Sequence, residues 1–238
     1  MKKVLMVVYA FPPLKYPVIE RAAGFIRLLR NYGWEPLVLT RHSEADSREE
    51  AQIPEGIDIV RTGIREPESY PVFLRGAFKF AASRTMSDRD RLWEMFSSRQ
   101  AARLARYEGV DLIYTVSPPS SAHLIGMRLK KKNPGLPWVA DICPAHAINR
   151  SNTDKPESSP NFYASVKERY EKLLLDRIRD SADCMVTADN LLAESISNPA
   201  DTNRKGAVCY VPDGHAQELS ELFEKACRTI AAKKLEME

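Results

Sequence analysis

Between residues 4 and 40 the chain reads VLMVVYAFPPLKYPVIERAAGFIRLLRNYGWEPLVLT. Its first six residues are almost continuously apolar and rich in β-branched side chains, which is typical of a strand buried on both faces. Apolar residues then recur at helical spacing, so a helix is predicted from about residue 20 to residue 31. Gly33 ends that helix. Residues 36–40 form a second apolar strand, and the whole stretch is therefore a βαβ unit.

The same alternation continues along the rest of the chain. Further strands are predicted at residues 57–60, 111–115, 138–142, 184–187 and 208–211. Further helices are predicted at about residues 89–107, 120–132, 162–180 and 216–234, with a short helix between the last two strands. Strands that alternate with helices build right-handed crossovers on a parallel sheet. We predict an α/β fold: a Rossmann-like, doubly wound, mainly parallel sheet with a carboxy-terminal helix.

Composition excludes several classes of protein. The 238 residues are 44% hydrophobic and 28% charged, with a net charge of +3. This is ordinary for a globular protein, and so mild a positive charge does not indicate a nucleic-acid partner. No apolar run approaches the ~20 residues that cross a bilayer. The start of the chain lacks the pattern of a signal peptide, so we expect a cytoplasmic protein with reduced thiols.

The common cofactor and catalytic motifs are missing from the sequence. The first loop has no GxGxxG, which would indicate a dinucleotide, and the chain has no GxxxxGK[ST] of a P-loop. It also lacks the GxSxG of an α/β hydrolase and the HExxH of a zinc enzyme. The four cysteines form no CxxC pair. We therefore expect neither a metal nor a bound cofactor.

A series of segments carries a resemblance to a known family. They read YAFPP at 9–13, GWEPLVLT at 33–40, DLIYTVSPPSSAHLIG at 111–126, PWVAD at 137–141, YEKLL at 170–174, SADCMVT at 181–187 and VPDG at 211–214. In this order they resemble the amino-terminal domain of family 4 glycosyltransferases, which have the GT-B architecture. The resemblance spans about residues 1–215, and it implies a Rossmann-like glycosyltransferase domain there, with a terminal amphipathic helix at 216–238.

The resemblance implies an activity as well as a fold. Enzymes of this family transfer a sugar from a nucleotide-sugar donor to a glycan or lipid-linked acceptor, without a bound metal, for example in polysaccharide biosynthesis of the cell envelope. This chain would supply the acceptor side only, because nothing after Gly214 resembles the donor-binding domain. We therefore expect an isolated chain to be inactive, and its partner to be a donor-binding half or a second copy.

The chain also departs from the family pattern. Its first loop, LKYP at residues 14–17, contains none of the glycines that let a backbone approach phosphate. Residues 142–146 read ICPAH where the family has Phe-Arg-Asp-x-Trp, and Asp213 replaces an asparagine. Three readings stay open: half of a split enzyme, a non-catalytic binding or scaffold protein of the same descent, and a small-molecule enzyme outside the family.

Ligands of such sheets bind at the carboxyl ends of the strands, which selects the candidate site residues. Asp141 and His146 are the candidate catalytic pair, as an acid and a base. The candidate substrate-binding residues are Pro13, Lys15, Ser117, Ser120, Asp213 and Gly214. Residues 117–121 either cap the following helix, through Ser120 or Ser121, or form an anion-binding helix start. Arg21 and Arg27, on the first helix, are expected to be solvated.

Two further segments carry expectations. Residues 70–80 mix aromatic and cationic side chains, which either pack on the core or contact the inner face of a membrane peripherally. The last helix has an apolar stripe, Leu219, Leu222, Phe223, Ala226 and Ile230, that must be buried. We expect the stripe to pack on the chain's own sheet rather than on a partner.

Overall fold

All seven predicted strands form in the computed structural model, which describes residues 1–11, 17–42, 56–62, 88–143, 162–196 and 207–235. The strands are β1 Lys2–Val8, β2 Trp34–Arg41, β3 Asp58–Thr62, β4 Val110–Ser117, β5 Trp138–Ile142, β6 Cys184–Thr187 and β7 Ala207–Tyr210. The α-helices of this part of the chain are α1 Pro17–Leu29, α2 Asp88–Tyr107, α3 Ser121–Lys132, α4 Phe162–Ser181, α5 Asn190–Ile196 and α6 Ala216–Leu235.

The strands form one parallel sheet in the order β3-β2-β1-β4-β5-β6-β7. This confirms the predicted Rossmann-like, doubly wound architecture. The strand order reverses direction between β1 and β4, which makes the carboxyl ends of these two strands the topological switch point. Ligands of open α/β sheets bind at that position.

Side chains of β1 alternate between two cores, one on each face of the sheet. Val4, Met6 and Val8 face the core that includes residues of α1 and α6. Leu5 and Val7 face the core that includes residues of α2, α3 and α4. The central strand is therefore buried on both faces, which explains why its sequence is continuously apolar rather than alternating.

Helix α6 covers β4 and β5 on the face of the sheet that α3 and α4 do not occupy. Both α3 and α4, which follow β4 and β5, pack on the opposite face. On its own face α6 packs against α1, β4 and β5. Phe223 is fully buried there, edge-on to Trp34 at a ring-centroid distance of 5.2 Å. The expected packing of the terminal helix on its own sheet is thus what the structure has, although Leu222 and Ile230 are only partly buried.

Local boundaries differ from the sequence predictions at two helix starts. Helix α1 begins at Pro17 rather than near residue 20. Proline suits this position because its fixed φ fits the first turn and its missing N–H would have no partner there. Ser120 occupies the N-cap of α3, but its side chain makes no capping hydrogen bond and its backbone is helical. The expected cap by Ser120 is therefore wrong in that detail.

Gly33 ends the first helical segment as predicted. It follows a 3₁₀ turn, Arg30–Tyr32, and has φ of 85°, in the left-handed region that favours glycine. None of the described helices is long and apolar enough to cross a membrane. Residues 70–80 lie outside the described residues, so both alternatives for them, packing on the core and peripheral membrane contact, are untested.

Candidate functional site

Three of the strand-end residues selected from the sequence lie at the carboxyl edge of the sheet. Ser117 is the last residue of β4, and Asp141 lies beside Val116 in the register of β5 with β4. Asp213 follows β7, in the turn that leads into α6. The Ser117 hydroxyl lies 3.5 Å from the backbone carbonyl oxygen of Asp141. The fold therefore places side chains from distant parts of the chain at one edge.

Arg21, from α1, joins two of these residues. Its Nε donates to Asp141 Oδ2 at 2.7 Å, and its Nη1 donates to Asp213 Oδ1 at 2.6 Å. The same Nη1 donates to the backbone carbonyl of Val211 at 3.0 Å. Arg21 is only 5% exposed, so the expectation that it is solvated is wrong. Its planar guanidinium group has enough N–H donors to bind two carboxylates and a carbonyl at once.

Asp141 is fully buried and shares its oxygen Oδ2 with a second donor. The hydroxyl of Tyr114, on β4, donates to Oδ2 alongside Arg21. Burial raises the pKa of Asp141 above its usual value, while Arg21 and the Tyr114 hydroxyl act in the opposite direction. Burial, together with the charge of Asp141, also raises the pKa of Tyr114 well above its usual value. Tyr114 is therefore a neutral donor, and the pair Arg21–Asp141 is a buried ion pair.

The cluster has two buried polar atoms without a hydrogen-bond partner, Arg21 Nη2 and Asp141 Oδ1. Such atoms are uncommon, because an unpaired buried donor or acceptor costs free energy. The guanidinium face also packs over the ring of Phe25, with Cζ 4.8 Å from the ring centroid. Two carboxylates and an aromatic ring thus surround the guanidinium group of Arg21. Its Nη2 donates to neither carboxylate.

Asp213 is the accessible member of this group. Its side chain is 71% exposed although one oxygen is held by Arg21. Gly214 follows it with φ of 79°, a left-handed conformation that glycine adopts without strain. The turn at residues 213–214 is therefore fixed to the sheet edge by Arg21, and it presents a carboxylate to solvent.

A second group of hydrogen-bonded side chains lies beneath the start of α3. The indole nitrogen of Trp138 donates to Thr115 Oγ1 at 2.9 Å, and that hydroxyl lies 2.7 Å from His123 Nδ1. If the hydroxyl accepts from Trp138 and donates to His123, the histidine carries its proton on Nε2. His123 is 1% exposed, and burial lowers its pKa to about 3. It is a neutral core residue.

Several predicted site residues cannot be placed. Pro13, Lys15 and His146 lie outside the described residues, so the pairing of Asp141 with His146 is untested. Ser120 lies at the N-cap of α3, where the neighbouring Ser121 hydroxyl is buried without a partner. Among the described residues no group of three or more His, Cys, Asp or Glu side chains could hold a metal ion.

Sequence reasoning missed Arg21 and Tyr114. A signal for Arg21 was present, because it lies four residues before Phe25 and so on the flank of the apolar stripe of α1. No comparable signal exists for Tyr114. It lies in an apolar strand, and only the register of β4 with β5 brings its hydroxyl to Asp141.

No protein-family profile matches the sequence, and no curated protein matches it. Solved structures do resemble its fold. A sucrose-phosphate synthase chain from Thermosynechococcus elongatus superposes with a TM-score of 0.52 at 14% identity, over 93% of this chain and 98% of that one. A UGT transferase from Siraitia grosvenorii in complex with UDP gives a TM-score of 0.52 at 10% identity, over 88% of this chain and 51% of that one.

Phytolacca americana UGT2, complexed with UDP-2-fluoro-glucose and pterostilbene, gives a TM-score of 0.51 at 12% identity, over 89% of this chain and 54% of that one. The chain therefore spans about half the length of the two plant enzymes. At such low identities the likeness concerns the fold alone. The chain shares a Rossmann-like α/β fold with these structural neighbours.

Proposed function

We propose that this chain is a glycosyltransferase-related protein that forms the acceptor-side half of a GT-B transferase. The observation that carries the proposal is the extent of the fold likeness. Nearly nine-tenths of the chain superposes on only about half of each plant enzyme. That pattern is what one Rossmann-like half of a two-domain transferase would give. The resemblance of residues 1–215 to family 4 supports the same reading.

In this proposal the carboxyl edge of the sheet binds the acceptor. The exposed carboxylate of Asp213 is suited to accept hydrogen bonds from sugar hydroxyl groups, and Arg21 holds it in place. Ser117 ends β4, Ser120 follows it and Gly214 follows β7, so all three are candidates to line the same edge. Pro13 and Lys15 would contribute from the first loop. A nucleotide sugar would be the donor, bound by a second chain or domain, and a homo-oligomer is the other candidate assembly.

Asp141 then acts through Arg21 rather than on the substrate. Its side chain has no exposed surface that a substrate could touch. It balances the charge of Arg21 and thereby orients the donor that fixes Asp213. His146 is left as the candidate general base in this half, because histidine is the side chain whose ordinary pKa lies closest to physiological pH.

The same burial favours a second candidate function, a non-catalytic binding or scaffold protein descended from such an enzyme. A carboxylate that is enclosed with arginine and tyrosine stabilises the fold without taking part in chemistry. The two functions differ in what the chain binds. An acceptor half binds glycans or lipid-linked sugars at the carboxyl edge, whereas a scaffold does not require that edge to bind any sugar.

Ligand-observed NMR on the full chain tests the proposal. The probes are UDP-glucose, a panel of oligosaccharides, and polyprenyl phosphate in detergent micelles. We expect saturable binding of at least one acceptor probe that is lost in Asp213→Ala. It should persist in Asp58→Ala, which removes an exposed carboxylate at the start of β3, away from the carboxyl edge. We expect no hydrolysis of UDP-glucose by the chain alone.

Two outcomes would contradict the proposal. Turnover of UDP-glucose by the purified chain without a partner would show that it carries a complete donor site. Absence of binding by every acceptor probe, in a chain shown to be folded by circular dichroism, would favour the scaffold function. Sugar transfer that requires both this chain and a second, donor-binding chain would identify the missing half.

A further inference from the structure

A groove of about 530 Å³ lies between β7 and α6, and Val211, whose carbonyl accepts from Arg21, is part of its lining. Cys209 and Tyr210 of β7 form one wall, and charged side chains of α6 form the other. Because β7 is the edge strand of the sheet, the groove opens to solvent. No pattern in the sequence singles out this place, because the four cysteines form no close pair along the chain.

Two thiols meet at this groove. Cys184 Sγ, on β6, lies 4.0 Å from Cys209 Sγ and 3.5 Å from the backbone carbonyl oxygen of Met185, so its one proton can be donated to either. Cys184 is 6% exposed and belongs to the core, whereas Cys209 is only partly buried and lines the groove. Cys209 is thus the accessible thiol, and Cys184 is a buried hydrogen-bond donor behind it.

The surroundings of Cys209 favour its thiolate. The hydrogen bond from Cys184 lowers the pKa of Cys209 to about 7, with a further contribution from the charge of Lys225 and against the effect of burial. The pKa of Cys184 is raised, by that same hydrogen bond and by burial. Burial also raises the pKa of Cys227, to about 11, and that of Cys143 well above its usual value. Cys209 is the cysteine whose environment supports nucleophilic attack at neutral pH.

The groove carries charges of both signs beside this thiol. Lys225 and Arg228 contribute cations, and among the described residues neither is in an ion pair. Glu218 and Glu221 contribute carboxylates, which accept from His215 and Gln217 respectively. A small ligand that bears both carboxylate and ammonium groups matches this lining.

The two cysteines are poorly placed to bond to each other. Cys184 is in register with Ala207, and Cys209 with Val186, so they are offset by two residues on adjacent strands. With the usual strand spacing and rise, this offset puts their Cα atoms about 8 Å apart. Disulfides require Cα atoms within about 7 Å. A disulfide within the chain would therefore require the backbone to move.

We propose that Cys209 is a site of reversible S-thiolation by a small zwitterionic disulfide bound in the groove between β7 and α6, with Cys184 as the residue that supports its thiolate. The Cys209 sulfur attacks one sulfur of the disulfide, whose S–S bond breaks. A new S–S bond joins Cys209 to one half, and the other half leaves as a thiolate that takes a proton from water. A second thiol reverses the exchange.

The test uses the full chain with oxidised glutathione as the charged probe and bis(2-hydroxyethyl) disulfide as the neutral one. Intact-mass and peptide mass spectrometry measure the rate and position of the adduct. We expect a single adduct at pH 7, located on Cys209, absent in Cys209→Ser and unchanged in Cys227→Ser. Cys184→Ala should slow the reaction about threefold at pH 7, because the smaller thiolate fraction is partly offset by higher nucleophilicity.

Charge recognition is tested separately. The double variant Lys225→Gln/Arg228→Gln should slow the reaction with oxidised glutathione about three- to fivefold more than the reaction with the neutral disulfide, which slows only through the lost effect of Lys225 on the Cys209 thiolate. The matched control is Lys233→Gln/Lys234→Gln, which removes the same charge from the last turn of α6. If Cys184→Ala does not fold, the pH dependence of the unmodified chain replaces it, with an expected midpoint near 7.

Three results would overturn the proposal. The first is an adduct that forms as fast on Cys143 or Cys227 as on Cys209. The second is a Cys184–Cys209 disulfide as the product. The third is equal loss of rate with both probes in the Lys225/Arg228 variant, which would mean that the groove does not recognise the charged ligand.

Discussion

Arg21 is the residue on which the strand-end cluster depends. Removing it would leave Asp141 buried beside a tyrosine hydroxyl with no opposite charge, and Asp213 without its link to the sheet. Loss of one partner of a buried ion pair costs more than the pair itself contributes, since the remaining charge has no compensation. The stability of this edge therefore rests on one side chain that the sequence alone places on a solvated helix face.

We expect Arg21→Ala to lower the free energy of unfolding by about 3–5 kcal/mol. Urea denaturation monitored by tryptophan fluorescence measures it. Arg27→Ala, an exposed arginine on the same helix, should change stability by less than about 0.5 kcal/mol. Arg21→Lys keeps the charge but loses the fork, so it should fall between the two. Equal stability of Arg21→Ala and Arg27→Ala would contradict the buried cluster.

His123 gives the molecule a dependence on pH. Its pKa is lowered by burial to about 3, whereas an unfolded histidine titrates near 6.5. Between these values the unfolded chain binds a proton that the folded chain does not. Stability contributed by neutral His123 is therefore complete above about pH 6.5 and falls by about 1.4 kcal/mol per unit as the pH drops toward 3.

We expect His123→Gln to reduce the slope of unfolding free energy against pH between about pH 6 and pH 4. The measurement is a series of urea titrations at fixed ionic strength. A slope that is the same in His123→Gln and in the unmodified chain would show that His123 is not the group responsible.

Helix α3 meets the sheet through a glycine. A Cβ atom built on Gly126 would lie 2.5 Å from the indole nitrogen of Trp138 and 2.8 Å from Thr115 Cγ2. These neighbours belong to the chain of hydrogen bonds that includes His123, so they cannot shift without loosening it. Gly126 is therefore required by close packing between helix and strand, and not by backbone conformation.

Replacing Gly126 by alanine should destabilise the fold by about 1–3 kcal/mol, because the added methyl group overpacks the contact with Trp138. Gly24 is the matched control: it lies within α1, and an added Cβ meets nothing within 4 Å. Gly24→Ala should therefore stabilise the fold by about 0.5–1 kcal/mol through helix propensity. Thermal unfolding followed by circular dichroism distinguishes the two, and a stabilising Gly126→Ala would refute the packing argument.

Secondary elements could be predicted well from this sequence because each follows a local pattern. Strand β1 is apolar over its length since it is buried on both faces, and Gly33 ends its helix through a local turn. The site could be predicted only in part. Asp141 and Asp213 are found because strand ends are known from the same patterns. Tyr114 could not be found, because its contact with Asp141 depends on the register between two strands, which no local pattern specifies.

The whole molecule depends on its last helix. Helices α3 and α4 lie on one face of β4 and β5, and α6 covers the other. Phe223 contacts both Trp34 from β2 and Tyr114 from β4, with ring centroids 5.2 Å and 5.4 Å apart. Phe223 therefore connects α6 to β2 and to β4, the strand that carries the Tyr114 hydroxyl bound to Asp141.

Phe223→Ala should lower the free energy of unfolding by about 3–5 kcal/mol, because a fully buried aromatic ring is lost and a cavity remains beside Trp34 and Tyr114. A domain of this size has about 5–15 kcal/mol in total, so the variant should unfold at markedly lower urea concentration. Leu235→Ala, at an exposed position near the end of α6, should have little effect.

Light scattering at matched concentrations decides between two explanations of any loss of stability in Phe223→Ala. If α6 packs within the chain, Phe223→Ala changes stability and leaves the mass in solution unchanged. If the variant instead kept its stability and lost an oligomeric state, α6 would be an interface, and the helix would belong to an assembly rather than to the core of one chain.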